Sequence, residues 1–75
     1  MKLKSAEAVY VELGKRIVTA RKARHISQEQ LATMSDIDRS HMGFIEQGRR
    51  KPTVTTLYKI AQALRLNLED LFKGL

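Results

Sequence analysis

Seventy-five residues hold one domain, and a chain this short buries only about 60% of its unfolded surface, so its stability depends on a tight core and well-made helix ends. Fourteen Lys and Arg against eight Asp and Glu leave a net charge of +6, which favours a polyanionic partner, either nucleic acid or an acidic membrane surface. The absence of cysteine excludes a disulfide framework and a thiolate metal site, and no segment nears the roughly 18 to 20 apolar residues of a bilayer span.

The start, Met1 to Glu7, lacks the apolar run of a secretory signal, so a cytoplasmic protein with no membrane partner is expected. From Ala6 to about Arg24, Val9, Leu13, Ile17 and Ala20 fall on one stripe while Lys15, Arg16, Lys22 and Arg24 face elsewhere, which predicts a first amphipathic helix. Gly14 lies inside it at a cost of about 1 kcal/mol relative to Ala. His25, at its end, is expected to meet the terminal carbonyls.

The second helix has a complete local start signal. Ser27 can cap the free amides, Gln30 can reach back to the Ser27 amide, and Ile26 can close over Leu31 from outside the helix. The same device recurs with Ile37, an Asp38 cap and Met42, and again with Leu66, an Asn67 cap, Asp70 and Leu71. Between these, Thr53 after Pro52 caps a fourth helix whose Val54, Leu57, Ile60, Ala61 and Leu64 make an apolar stripe. Met34 and Met42 are read as packing residues, and Leu68, Leu71 and Phe72 as closing the base of the domain while also offering a strip to a second copy. The expectation is an all-α, compact five-helix single domain over 1–75, with its core at about 9–72 and a helix-turn-helix at helices 2 and 3.

The third helix carries the functional argument. At about 100° per residue, Met42, Ile45 and Glu46 share one side, and Ser40, Gly43, Phe44 and Gln47 the opposite one, with Arg39 and His41 at the borders. Arg bonds guanine bidentately, Ser bonds several bases, and an exposed aromatic can meet a thymine methyl, so this edge suits the major groove. Gln28, in the first turn of helix 2, sits where free amides and the positive dipole end attract a phosphate.

Catalysis has little support. Ser40 and His41 diverge by about 100° on one helix and cannot form a nucleophile–base pair with each other. Two scattered histidines give no metal spacing, and Gly14 with Lys15 lacks the rest of a phosphate loop. No enzyme, metal, cofactor or small-molecule ligand is expected.

From about Leu13 to Phe72 the chain resembles the lambda repressor and Cro-like, or XRE-like, helix-turn-helix family. The resemblance rests on Ser27-Gln28 with Leu31-Ala32, on Ile37 to Ser40, on Ile45-Glu46 with Gly48, and on Leu57 to Leu64. Within the family it is most similar to small phage repressors and to controller proteins of restriction-modification systems. The resemblance implies base reading by Arg39, Ser40 and Phe44, with His41 near the groove wall. It also implies phosphate holding by Gln28 and Gln47, and a structural salt bridge between Arg21 and Glu46. Arg49, Arg50 and Lys51, beyond the Gly48 helix stop, are expected to clamp phosphates without reading sequence. Phe44 replaces a polar side chain common in relatives, and either meets thymine methyls or is covered by a partner protein. Relatives usually have glycine where this chain has Asp36 and Arg65. Asp tolerates the left-handed conformation better than Arg does, which leaves the end of helix 4 open.

The resulting expectation is a sequence-specific regulator of transcription that binds a palindromic operator in double-stranded DNA as a homodimer. An antitoxin that autoregulates its operon and binds a toxin is the alternative. A basic amphipathic membrane binder is the third reading.

Overall fold

The computed structural model describes residues 5–75; the basic start, residues 1–4, lies outside them. Five helices follow one another, α1 (Ala6–Ala23), α2 (Gln28–Met34), α3 (Arg39–Glu46), α4 (Val54–Ala63) and α5 (Leu68–Phe72), and no strand occurs among the described residues. None of these helices is long and apolar enough to cross a membrane.

Local chemistry explains where each helix starts. Ser5, Ser27 and Thr53 accept the amides of Ala8, Gln30 and Thr56 through their hydroxyls, and the Asp38 carboxylate takes those of Ser40 and His41. At α2 the box is closed reciprocally, because the Ser27 N–H donates to Gln30 Oε1 at 2.8 Å. At α5 the Asn67 N–H donates to the Asp70 carboxylate at 2.9 Å. Each such cap contributes about 1 kcal/mol by satisfying amides that a helix leaves free.

The helix ends obey one rule as well. α1, α2 and α4 stop at His25, Asp36 and Arg65, all left-handed with φ of 56°, 54° and 57°. In each case the next amide, from Ile26, Ile37 or Leu66, reaches back to the carbonyl of Arg21, Ala32 or Ala61 at 2.8–3.2 Å. This is the Schellman arrangement, made here without glycine. Arg65 therefore ends α4 as Asp36 ends α2, with the partial burial of Leu66 and its hydrogen bond to Ala61 O set against the strain. His25 acts through its backbone, its N–H donating to Lys22 O at 3.0 Å, so it ends α1 by conformation and not by its imidazole meeting carbonyls.

The two rules interlock. Ile26, Ile37 and Leu66 each complete one helix stop and pack on the core just outside the next helix, so three connections shrink to the same four-residue joint.

The core draws on every helix. Leu13 and Ile17 of α1, Leu31 of α2, Met42 and Ile45 of α3, Leu57 and Ile60 of α4, Leu64 just beyond it and Leu71 of α5 are all buried. Full burial of such side chains is worth about 1.5–3 kcal/mol each relative to exposure. α3 packs on α1 and α2, and α4 packs on α2 and α5, while α5 returns to α1. Arg16 locks that return by donating Nη1 to the carbonyls of Asp70, Leu71 and Lys73 at the end of α5.

Three apolar expectations fail. Met34 is 54% exposed, because it lies about 105° around α2 from the centre of the Leu31, Ala32 and Ser35 face that meets the core. Val54, 68% exposed, occupies the first position of α4, about 70° from the centre of the Leu57 to Leu64 stripe. Phe72 lies at the open end of α5 and is exposed, so Leu71 closes the base with Leu68 only partly buried beside it.

Candidate nucleic-acid interface

Two short helices and a four-residue joint position this surface. The α2–α3 connection is only Ser35 to Asp38, tied by Ile37 N–H to Ala32 O at 2.9 Å and capped at once by Asp38. With Met42, Ile45 and Glu46 buried, α3 is held by one face and presents the other outward.

Behind that face lies a buried ionic network. Arg21 Nε and Nη2 donate to Glu46 Oε2 and Oε1 at 2.8 and 3.0 Å, a bidentate pair with side-chain exposures of 12% and 4%. Arg21 Nη1 also donates to Ile26 O, so one guanidinium joins α1, the α1–α2 joint and α3. The Gln28 amide donates to Glu46 Oε1 at 3.0 Å, which the sequence did not suggest. One Gln28 N–H is thereby committed inward, while the first backbone amides of α2 have no acceptor within their own helix. Gly43 faces the same side chain, and a Cβ there would sit in ordinary contact with Gln28 Oε1 at 3.4 Å.

Gly14 fixes how close α1 approaches α3. A Cβ at this position would stand 2.5 Å from Glu46 O and 2.7 Å from Ile45 O, both backbone atoms. The helix-weakening glycine is thus a contact surface for the end of α3. Its only sequence signal was its cost.

On the outward side, Gln28, Arg39, Ser40, Gly43, Phe44 and Gln47 line one shallow concavity of about 210 Å³. Residues from two helices, chosen in the sequence for different reasons, thus share one surface. His41 does not line it; half-buried on α3, it stands at the border with its N–H on the Asp38 cap. Beyond α3 the chain turns at Gly48, φ 75°, and the Arg49 N–H returns to Phe44 O at 2.9 Å. That turn sets the Arg49 and Arg50 guanidiniums over the Phe44 ring, 5.2 and 5.1 Å from its centroid. Arg49 Nη1 also donates to Gln47 Oε1 at 3.3 Å. Lys51 follows, exposed, before Pro52 is buried ahead of α4.

The surface is therefore a rigid, polar, cationic edge with hydrogen-bonding groups at the centre and three cationic side chains beside it. Such a shape can hold a polyanion and address the edges of bases. Among the described residues no group of His, Asp and Glu is placed to hold a metal ion.

Comparison with known proteins agrees with this geometry. The controller protein C.AhdI of the Aeromonas hydrophila restriction-modification system has a solved structure that matches 87% of this chain and 98% of its own, at 38% identity and a TM-score of 0.85. Control protein C.MunI from Mycoplasma sp. is 31% identical over 68 residues, 89% of this chain and 92% of that protein. The immunity repressor of Bacillus phage phi105 is 38% identical over 56 residues, 75% of this chain but only 39% of the repressor. Residues 17–71 match the helix-turn-helix family HTH_3. With its five-helix fold, its helix joint and these relatives in agreement, the chain belongs to the HTH_3, or XRE-like, family of DNA-binding transcription regulators, which are not enzymes.

Proposed function

We propose that this protein regulates transcription by binding a palindromic operator as a homodimer, with α3 of each copy in the major groove. The observation that supports this most directly is the concavity where Gln28, Arg39, Ser40, Phe44 and Gln47 meet on the outer edge of α3. In this reading Arg39 and Ser40 bond base edges, Phe44 and His41 flank them, and Gln28, Gln47, Arg49, Arg50 and Lys51 hold phosphates. The 1–75 chain acts as one domain in the compartment that holds DNA. Relatives named as control and repressor proteins support a regulatory role.

Twofold symmetry follows from the target. Two copies with their third helices about 34–36 Å apart enter successive major grooves on one side of the duplex. If the dimer engages about eight phosphates, log K falls against log salt with a slope near −7.

The test is selection of bound sequences from random DNA with the purified protein. A twofold-symmetric site with half-sites one helical turn apart is expected. Recovery of no preferred sequence, or of an asymmetric single half-site, overturns this reading.

A further inference from the structure

Phe44 is the residue whose type fits least well on a polar reading edge, and its surroundings give it another task. Two guanidiniums, from Arg49 and Arg50, lie over its ring at 5.2 and 5.1 Å from the centroid. Neighbouring cations repel, and an aromatic face offsets that repulsion because its quadrupole attracts both. The backbone repeats the connection, with the Arg49 N–H on Phe44 O at 2.9 Å. Gln47 Oε1 adds a further tether on Arg49. The turn that carries both arginines is itself anchored, since a Cβ at Gly48 would lie 2.7 Å from Val11 Cα and 2.9 Å from Val11 Cγ2 of α1.

We propose that Phe44 is a positioning residue: its ring holds Arg49 and Arg50 together at the end of α3, so that a preformed pair of guanidiniums meets the DNA backbone. Arg suits this role because its planar cation can stack on a ring through one face and still offer N–H groups to a phosphate from its rim. The ring acts through the arginines on all sequences alike, and its contact with them persists in the complex. This inference rests on the DNA-binding reading above.

Phe44→Leu removes the π face and keeps an apolar side chain, and Phe44→Tyr keeps the face. In the free protein, side-chain NMR signals of Arg49 and Arg50 should show ring-current shifts that vanish in Phe44→Leu and return in Phe44→Tyr. That measurement needs no DNA, so it separates failure of the ring–arginine contact from failure of the DNA-binding reading, which wild-type binding tests. On duplexes, Phe44→Leu should weaken binding to selected and random sequences by the same factor, at least about twofold and at most about 5- to 30-fold, the upper bound being the full energy of two exposed cation–π contacts spent on holding the arginines in place. Phe44→Tyr should restore it. In an Arg49→Gln, Arg50→Gln background, Phe44→Leu should change random-duplex affinity less than about twofold, because its partners are gone. Three results would overturn the proposal: unshifted arginine signals in the wild type, a loss confined to one base pair, or an undiminished effect in the double-glutamine background.

Discussion

Replacing Gly14 by Ala sets two calculable effects against each other. On helix propensity alone, Ala at an interior position of α1 stabilises by about 1 kcal/mol. The added Cβ, however, lands 2.5 Å from Glu46 O, 2.7 Å from Ile45 O and 2.8 Å from Glu46 C. Ordinary contact needs about 3.4 Å, so α3 must retreat by almost 1 Å, and backbone on both sides leaves no flexible side chain to yield. Overpacking of this kind costs typically 1–3 kcal/mol, and the rigid neighbours put this case at the upper end of that range. The expected net loss is about 2 kcal/mol, which in a domain this small lowers Tm by roughly 8–16 °C. Thermal and urea unfolding followed by circular dichroism measure it. The retreat also moves the carboxylate of Glu46 relative to Arg21, so the loss should be smaller in an Arg21→Ala background than in the wild type. A Gly14→Ala protein as stable as the wild type, or more stable, refutes the close approach and leaves propensity as the deciding term.

Arg21→Ala strands the buried Glu46 carboxylate with Gln28 as its remaining side-chain partner, and should cost about 3–5 kcal/mol in urea unfolding. A loss below 1 kcal/mol would show that the pair is no anchor. Ser35 is 2% exposed and its Oγ has no partner among the described residues, so Ser35→Ala should stabilise by about 1 kcal/mol, and a lower Tm contradicts this. Arg65→Gly relieves a left-handed residue at φ 57° and should raise stability by about 0.5–1 kcal/mol after the entropic cost of glycine. Gly48→Ala, at φ 75° against Val11, should do the reverse. For binding, Arg39→Ala should relax preference at one base pair by about 1–3 kcal/mol, and equal losses on selected and random duplexes would remove it from the readers.

The helix boundaries were legible because their causes lie within a few residues of one another. Ser27 and Gln30, Asp38 and the amides of Ser40 and His41, and the staple pairs from Ile26 to Leu71 interact across two to five positions, so chain order alone brings them together. The outward edge of α3 was legible for the same reason, since a helix of known period with Met42, Ile45 and Glu46 turned inward leaves one face free. Arg65 shows where that logic weakens: its residue type argued against a left-handed turn, and only the packed Leu66 beside it decided the matter.

What the tertiary structure alone decided are contacts between residues far apart in the chain. Gly14 reads as a weak point until the end of α3 is seen against it, and Arg16 reads as a solvated charge until the carbonyls closing α5 arrive 54 to 57 positions later. Gln28 divides itself between Glu46 and the outer surface only because α2 and α3 pack against each other there. Met34 and Val54 were misplaced because periodicity identifies a face but not how widely a neighbouring helix covers it. Hydrogen bonds within a turn are specified by the residues that make it, whereas close approach and burial are properties of two surfaces and exist only once both are in place.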